Sequence, residues 1–160
     1  LPVFGWAKPV PVIKQRLNNP RFGMMAVAAA GPATNLVLAA IGAIALGLLA
    51  GNLQAPPEGA LGLGLASLYS FILINIFLAL FNLLPIPPFD GSHIVEGLLP
   101  PPAARAYDKL RPYGFPLLFL LLLVIPYFFP HLGIVERLVL PPVEWAERKF
   151  MMLATWAGGG

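Results

Sequence analysis

A single carboxylate, Asp90, stands at the end of a long stretch of sequence without charge. Residues 59–89 contain no charged side chain, and Pro85, Pro87 and Pro88 come just before Asp90. Prolines this close together end a helix and leave an extended backbone with few donors, so they could hold one carboxylate at a fixed place. Asp90 could be a ligand in a functional site, or it could cap the following helix by accepting a backbone N–H. The residues alone leave both roles open.

Three asparagines lie within the apolar stretches, where a polar side chain needs a partner. Asn35 follows a Gly-Pro pair and could either hold helices together or line a site. Asn75 and Asn82 are seven residues apart, two helical turns on one face. Asn75 is expected to serve helix packing. Asn82 opens the proline-rich segment that leads to Asp90, which makes it a candidate site residue.

His93 follows Asp90 by three residues, so the two side chains could share a helix face and bind a metal together. A histidine near a helix start is more often structural. The other histidine, His131, is expected at the membrane interface. The sequence contains no cysteine, which excludes thiolate metal sites and cysteine nucleophiles.

The composition indicates what kind of protein must position these residues. Hydrophobic residues make up 58% of the 160 residues, charged residues make up 11%, and the mean hydropathy is +0.79. Soluble domains carry about 25% charged residues, and disordered chains are far less apolar. The basic residues are spread along short loops without a basic stripe, so nucleic acid is not expected as a partner. We expect an integral membrane protein in contact with the lipid bilayer.

Long runs without charge indicate the membrane spans. These runs cover residues 22–57, 59–89 and 112–135. A helix that crosses about 30 Å of hydrocarbon needs about 20 residues. The sequence therefore predicts an all-α polytopic membrane protein with about three transmembrane helices, near residues 24–50, 61–84 and 113–130. Prolines in the third stretch predict a short, kinked or tilted helix there.

The chain is expected to form one membrane domain, residues 1–160, with two unlike ends. In residues 1–23, prolines at positions 2, 9 and 11 exclude a helix and predict an extended, β-like membrane-associated loop. Residues 24–132 form the transmembrane core. Residues 133–160 form an amphipathic segment and a tail. This segment is expected to break at Pro141-Pro142 and to lie in the interface, because its charges are too frequent for hydrocarbon.

Lysine and arginine flank the spans unevenly. They occur in the N-terminal flank and in residues 90–112, whereas residues 51–60 contain none. The positive-inside rule then assigns the N-terminal flank and residues 90–112 to the cytoplasm. The C-terminal segment follows an odd number of spans and should begin outside. Its Arg137, Arg148 and Lys149 conflict with that assignment.

Three short motifs follow one another over about residues 4–100. They are the proline-rich loop at 4–12, Gly31-Pro-Ala-Thr-Asn35, and Asn82-Leu-Leu-Pro-Ile-Pro-Pro-Phe-Asp90-Gly91. In this order they resemble the site-2 protease family, the intramembrane zinc metalloproteases, and in particular its compact prokaryotic members. Each motif alone would be a weak signal, whereas the three together are specific.

The resemblance implies a role for each motif. Asp90 matches the third protein ligand of the catalytic Zn²⁺. Asn82 matches a residue near the metal that could hydrogen-bond the substrate or the tetrahedral intermediate. Asn35 matches a residue on the substrate-binding side, and the N-terminal loop implies a strand that pairs with extended substrate backbone. The loop residues in that role are Gly5, Trp6, Ala7, Lys8, Pro9 and Val10.

The family's His-Glu-x-x-His element supplies two zinc ligands and a general base, and it does not occur among these 160 residues. We expect that this segment lies upstream of Leu1, so that the chain is the C-terminal part of a zinc metalloendopeptidase and is inactive alone. The expected partners are a transmembrane protein substrate, the lipid bilayer and the upstream zinc-binding segment. The expected location is a prokaryotic plasma membrane.

Two other functions are compatible with the same residues. A non-catalytic pseudoprotease or helix-binding module would use the same asparagine and proline features, and a transporter fragment would place Asp90 in an ion path. A His-Glu-x-x-His before Leu1 would favour the enzyme over the pseudoprotease.

Overall fold

A computed structural model of the chain describes residues 20–160, and the extended loop predicted at the N-terminus lies almost entirely outside them. The elements in chain order are α1 (Pro20–Ala50), α2 (Gly59–Asn82), α3 (Gly91–Leu98), α4 (Pro101–Asp108), α5 (Arg111–Phe119), a π-helical segment (Leu120–Val124), α6 (Ile125–Phe128), a 3₁₀ turn (Pro130–Leu132), a second π-helical segment (Val135–Val139) and α7 (Leu140–Ala157). No strand occurs in this part of the chain. The predicted all-α class is confirmed.

Three helical stretches are long and apolar enough to cross a membrane. They are Arg21–Ala50, Gly59–Asn82 and Arg111–Phe128. The prediction of three spans is therefore confirmed. Pro32 lies inside α1 without ending it, since the helix continues to Ala50.

Small residues bring α1 and α2 into close contact. Ala39 and Ala43 of α1 are fully buried together with Ile72 and Ile76 of α2. A Cβ atom built on Gly42 would lie 2.9 Å from Cγ1 of Ile72, so a larger residue would push the helices apart. Helix association in lipid depends on such close packing, because lipid tails are as apolar as the side chains.

The last helix, α7, packs lengthwise against α1. A Cβ atom on Gly47 would overlap with the carbonyl group of Ala154, and one on Gly51 would lie 2.7 Å from the Cα of Gly158. Since both pairs advance by four residues in the same direction, α7 runs parallel to α1. Tyr69 of α2 adds a polar contact, because its hydroxyl donates to Oε1 of Glu147.

The break predicted at Pro141-Pro142 is wrong. The helix continues through both prolines, and the π-helical segment Val135–Val139 comes directly before them. Pro126 likewise follows the π-helical segment Leu120–Val124. A proline ring clashes with the carbonyl four residues earlier, and a wider π turn moves that carbonyl away. The third span therefore stays helical as far as Phe128.

The start of α7 lies beside the end of α2. Leu80, Phe81 and Leu84 share a small apolar cavity of about 120 Å³ with Pro142 and Val143. The helix thus begins at the end of the bundle where α2 terminates and Asp90 follows. α7 therefore starts at the same end of the bundle as the basic loops, whereas an odd number of spans would place its start at the other end. The interfacial location of residues 133–157 stays a prediction.

Candidate functional site

Asp90 lies between α1 and the start of α3. A Cβ atom built on Gly31 would lie 3.3 Å from Oδ2 of Asp90, so even a methyl group at position 31 would crowd the carboxylate. Asp90 is half-buried, its backbone is already helical at φ −61° and ψ −30°, and its side chain makes no capping hydrogen bond to α3. The N-cap interpretation is therefore wrong. The carboxylate faces the Gly-Pro-x-x-Asn element of α1 instead.

The backbone around Asp90 folds back onto the end of α2. A Cβ atom on Gly91 would overlap with the carbonyl oxygens of Leu83 and Leu84, so position 91 accepts only glycine without a shift of the loop. Farther along, a Cβ atom on Gly114 would overlap with the carbonyl group of Pro87. Two glycines thus fix the proline-rich loop from two sides.

Tyr107 of α4 supports the same loop from outside. Its hydroxyl donates a hydrogen bond to the carbonyl oxygen of Pro85. Burial raises the pKa of Tyr107, nearby Arg111 lowers it, and Glu96 raises it, with a net increase. The hydroxyl therefore keeps its proton and remains a donor. This contact satisfies one carbonyl of a segment whose prolines cannot supply a regular ladder of backbone bonds.

The helix that follows Asp90 is held against the first turns of α1. Gly97 lies so close to α1 that a Cβ atom there would overlap with the side chain of Met25. The Arg21 guanidinium donates to the carbonyl oxygen of Gly97, and its Nη2 donates to that of Leu99 at 2.5 Å. These are terminal carbonyls of α3, which a cation can cap. Together with the contact between Gly31 and Asp90, they make α3 antiparallel to α1.

Arg111 joins the third span to the helix that follows Asp90. Its guanidinium forms an ion pair with Glu96 and a second one with Asp108, the latter at 2.6 Å. It also donates to Oγ of Ser92 at 3.2 Å, and its Nη2 lies 3.3 Å from Nδ1 of His93. One side chain therefore contacts three residues of α3.

The sequence-predicted residues fall into three groups. The Asp90 carboxylate contacts the Gly31 element directly. Asn82 is the last residue of α2 and is half-buried. Asn35, one helical turn after Gly31, is also half-buried. Asn75 is buried, as expected for a packing residue, and it donates to the carbonyl oxygen of Phe71 in its own helix at 2.9 Å. The loop residues 5–10 lie outside the described residues.

The histidines do not join Asp90 in a metal site. Within residues 20–160, no group of three or more His, Cys, Asp or Glu side chains could hold a metal ion. His93 faces Arg111, and the ring of His131 packs edge-on against Phe129 with centroids 6.2 Å apart. Asp90 therefore belongs to no complete set of metal ligands within residues 20–160.

Comparison with known proteins identifies the family. The model of peptidase family M50 matches residues 59–124, which include α2, the proline-rich loop and Asp90. The Bacillus subtilis (strain 168) protein named "Putative zinc metalloprotease YwhC" is 42% identical over 125 residues, which are 77% of this chain and 56% of that protein. The chain belongs to peptidase family M50, the site-2 proteases. The family predicted from the three motifs is thus confirmed.

The chain spans about half the length of the curated relative that it matches. No solved structure matches it. Family membership and three apolar helices make it a membrane protein.

Sequence reasoning missed the residues that support Asp90. In the sequence, Arg111 looks like an ordinary loop charge and Tyr107 like an ordinary aromatic residue. Their partners are set by the packing of α3, α4 and α5, which the sequence does not show. Gly91 carried a signal, since a glycine directly after a proline-rich segment often marks a close backbone approach.

Proposed function

We propose that the protein is an intramembrane zinc metalloendopeptidase of the site-2 protease type, and that Asp90 is one of its zinc ligands. The position of Asp90 carries this proposal. Its carboxylate faces α1 across Gly31, and among residues 20–160 no side chain or backbone donor hydrogen-bonds it. A carboxylate held between helices without a donor suits a bound cation, and Asp is an established ligand of Zn²⁺.

The remaining ligands are proposed to come from another part of the same protein. A catalytic zinc takes three protein ligands and keeps one position open, and residues 20–160 contain no group of three that could hold a metal ion. We propose that a His-Glu-x-x-His segment outside these 160 residues supplies two histidines and a general base. Residues 1–160 alone would then hydrolyse no peptide bond. When bound, the metal would polarise the scissile carbonyl and lower the pKa of a bound water.

The chain's own residues would bind and orient the substrate. Asn82 ends α2 eight positions before Asp90, and within the described part its amide makes no hydrogen bond, which leaves it able to donate to a substrate carbonyl. Asn35 lies one turn from Gly31 on the same face of α1, so it borders the same space. Residues 5–10 are proposed to pair with substrate backbone as an added strand.

The proposed substrate is a transmembrane protein whose helix unwinds locally. A peptide bond inside a helix is shielded by its own hydrogen bonds, so an extended segment must form before attack. The proposed setting is a prokaryotic plasma membrane.

Cleavage by the intact protein tests the proposal. The probe is a single-span reporter peptide with a glycine- and asparagine-containing segment, reconstituted in vesicles with the full-length enzyme. Asp90→Ala should reduce cleavage more than about a hundredfold, because the metal loses a ligand. Asp108→Asn, in the same polar region, is the matched control and should retain most of the activity.

Two outcomes would count against the enzyme. If Asp90→Ala cleaves as well as the wild type, the assignment of Asp90 is wrong. If the wild type binds zinc and transmembrane peptides but never cleaves them, the non-catalytic module is the better description.

A further inference from the structure

The structure contains a cavity of about 320 Å³ that Asp90 does not line. It is bordered by the first turn of α1, the end of α3 and the first turns of α4. Arg21, Glu96, Leu99 and Arg105 are among its lining residues. Its volume lies within the range of small-ligand sites, and the proposed protease mechanism makes no use of it.

The charges around this cavity do not balance. The carboxylate of Glu96 is already engaged by Arg111. Arg21 is fixed by two backbone carbonyls, which orient the guanidinium without cancelling its charge. Arg105 is exposed and forms no hydrogen bond or ion pair within residues 20–160. Two cationic groups therefore border one cavity, and one of them is held in place.

The length of α1 and the charge at its start favour headgroup depth for this cavity. The candidate span Arg21–Ala50 has 30 residues, which at 1.5 Å per residue extends about 45 Å, whereas the hydrocarbon core is about 30 Å thick. The helix is thus longer than the hydrocarbon is thick, and the charge of Arg21 favours its first turn as the part that reaches the headgroups. Phe22 and Leu98, 56% and 67% exposed, mark the apolar surface beside the cavity.

We propose that this cavity binds the phosphodiester of an anionic phospholipid headgroup, with Arg21 and Arg105 as its cationic contacts. Basic pockets between membrane helices recognise such headgroups, above all on the cytoplasmic side. The positive-inside rule assigns this end of the bundle to that side. A zwitterionic lipid carries its own cation and would gain less from two arginines. The proposal is independent of the proposed proteolytic function.

Retention of lipid by the full-length protein tests the site. The purified protein is exchanged into detergent micelles that contain phosphatidylglycerol or phosphatidylcholine, and the bound lipid is quantified by mass spectrometry. Arg105→Ala should reduce retained phosphatidylglycerol about fivefold and leave phosphatidylcholine unchanged. Lys109→Ala is the matched control, because it removes one exposed positive charge just past the end of α4, outside the cavity. It should change retention less than about twofold.

Arg105→Ala should fold, because alanine is the best helix former. A loss of bound lipid can therefore be assigned to the missing guanidinium. Equal losses in Arg105→Ala and Lys109→Ala would show a diffuse charge effect and overturn the site. Equal retention of both lipids by the wild type would also overturn it. A third arm compares phosphate and chloride buffers of equal ionic strength. If phosphate binds in an Arg105-dependent way while phosphatidylglycerol does not, the ligand is free phosphate and the lipid proposal fails.

Discussion

The first two spans and the third span are built differently. In α1 and α2, Ile72 and Ile76 are fully buried, and small residues bring the backbones together. Along Arg111–Phe128, only 6% of the apolar stretch is buried, against 22% in α1 and 28% in α2, and Tyr127 is 80% exposed. The third span meets the Asp90 region through its first residues. The position of Asp90 thus depends on α1, α2 and α3, together with Arg111 and Gly114 at the start of the third span.

Apart from Asp90 itself, the largest expected effect on activity comes from Gly91→Ala. The new methyl group would overlap with the carbonyl oxygens of Leu83 and Leu84, so the loop must move and Asp90 with it. We expect a loss of about 1–3 kcal/mol in the free energy of unfolding and a fall in activity of more than about tenfold. Denaturation in detergent and cleavage of the reporter peptide measure the two effects.

Gly64→Ala provides the matched control for that variant. A Cβ atom at Gly64 meets nothing within 4 Å, and the residue lies inside α2. Since alanine is the better helix former, stability should rise by about 0.5–1 kcal/mol. Equal behaviour of the two variants would contradict the close contact between Gly91 and the end of α2.

Truncation of a buried and an exposed apolar side chain sharpens the comparison of the two regions. Ile72 of α2 is fully buried, whereas Leu123 of the third span is 58% exposed. Ile72→Ala should cost about 2–5 kcal/mol, because it leaves a cavity between α1 and α2. Leu123→Ala should cost less than about 1 kcal/mol. Comparable costs, measured by the same denaturation assay, would mean that the third span packs as tightly as the first two.

A smaller effect is expected at Arg111, which links the two regions. Arg111→Ala removes the ion pairs with Glu96 and Asp108 and frees the end of the third span from α3. The expected loss of stability is about 1–2 kcal/mol. Arg137→Ala, at an exposed position without an ion pair in the described chain, should stay within about 0.5 kcal/mol of the wild type. If Arg137→Ala lowers the free energy of unfolding as much as Arg111→Ala does, Arg111 has no special role.

The spans and the candidate ligand could be predicted from the sequence because each has a local cause. Runs without charge mark the helices that can cross hydrocarbon, and Asp90 follows a proline segment that ends a helix. The order of the three motifs was then enough to predict the family. These signals need no knowledge of which helix packs on which.

The rest depends on contacts between elements distant in sequence. The contact between Gly31 and Asp90 joins residues far apart in the chain, and nothing local indicates it. The same holds for Arg111, whose partners lie on two other helices. The prediction of a break at Pro141-Pro142 failed for a different reason. A proline disfavours a regular α-turn, but the π-helical segment before it preserves the helix.

Zinc binding by the full-length protein tests the central claim most directly. Zinc stoichiometry and affinity are measured for the wild type, Asp90→Ala and Asp108→Asn, each purified in detergent and titrated against a chelator. Removal of a zinc ligand should weaken the affinity of Asp90→Ala by at least about a hundredfold, while Asp108→Asn should match the wild type. Wild-type zinc affinity in Asp90→Ala would show that Asp90 is not a ligand and would contradict this account.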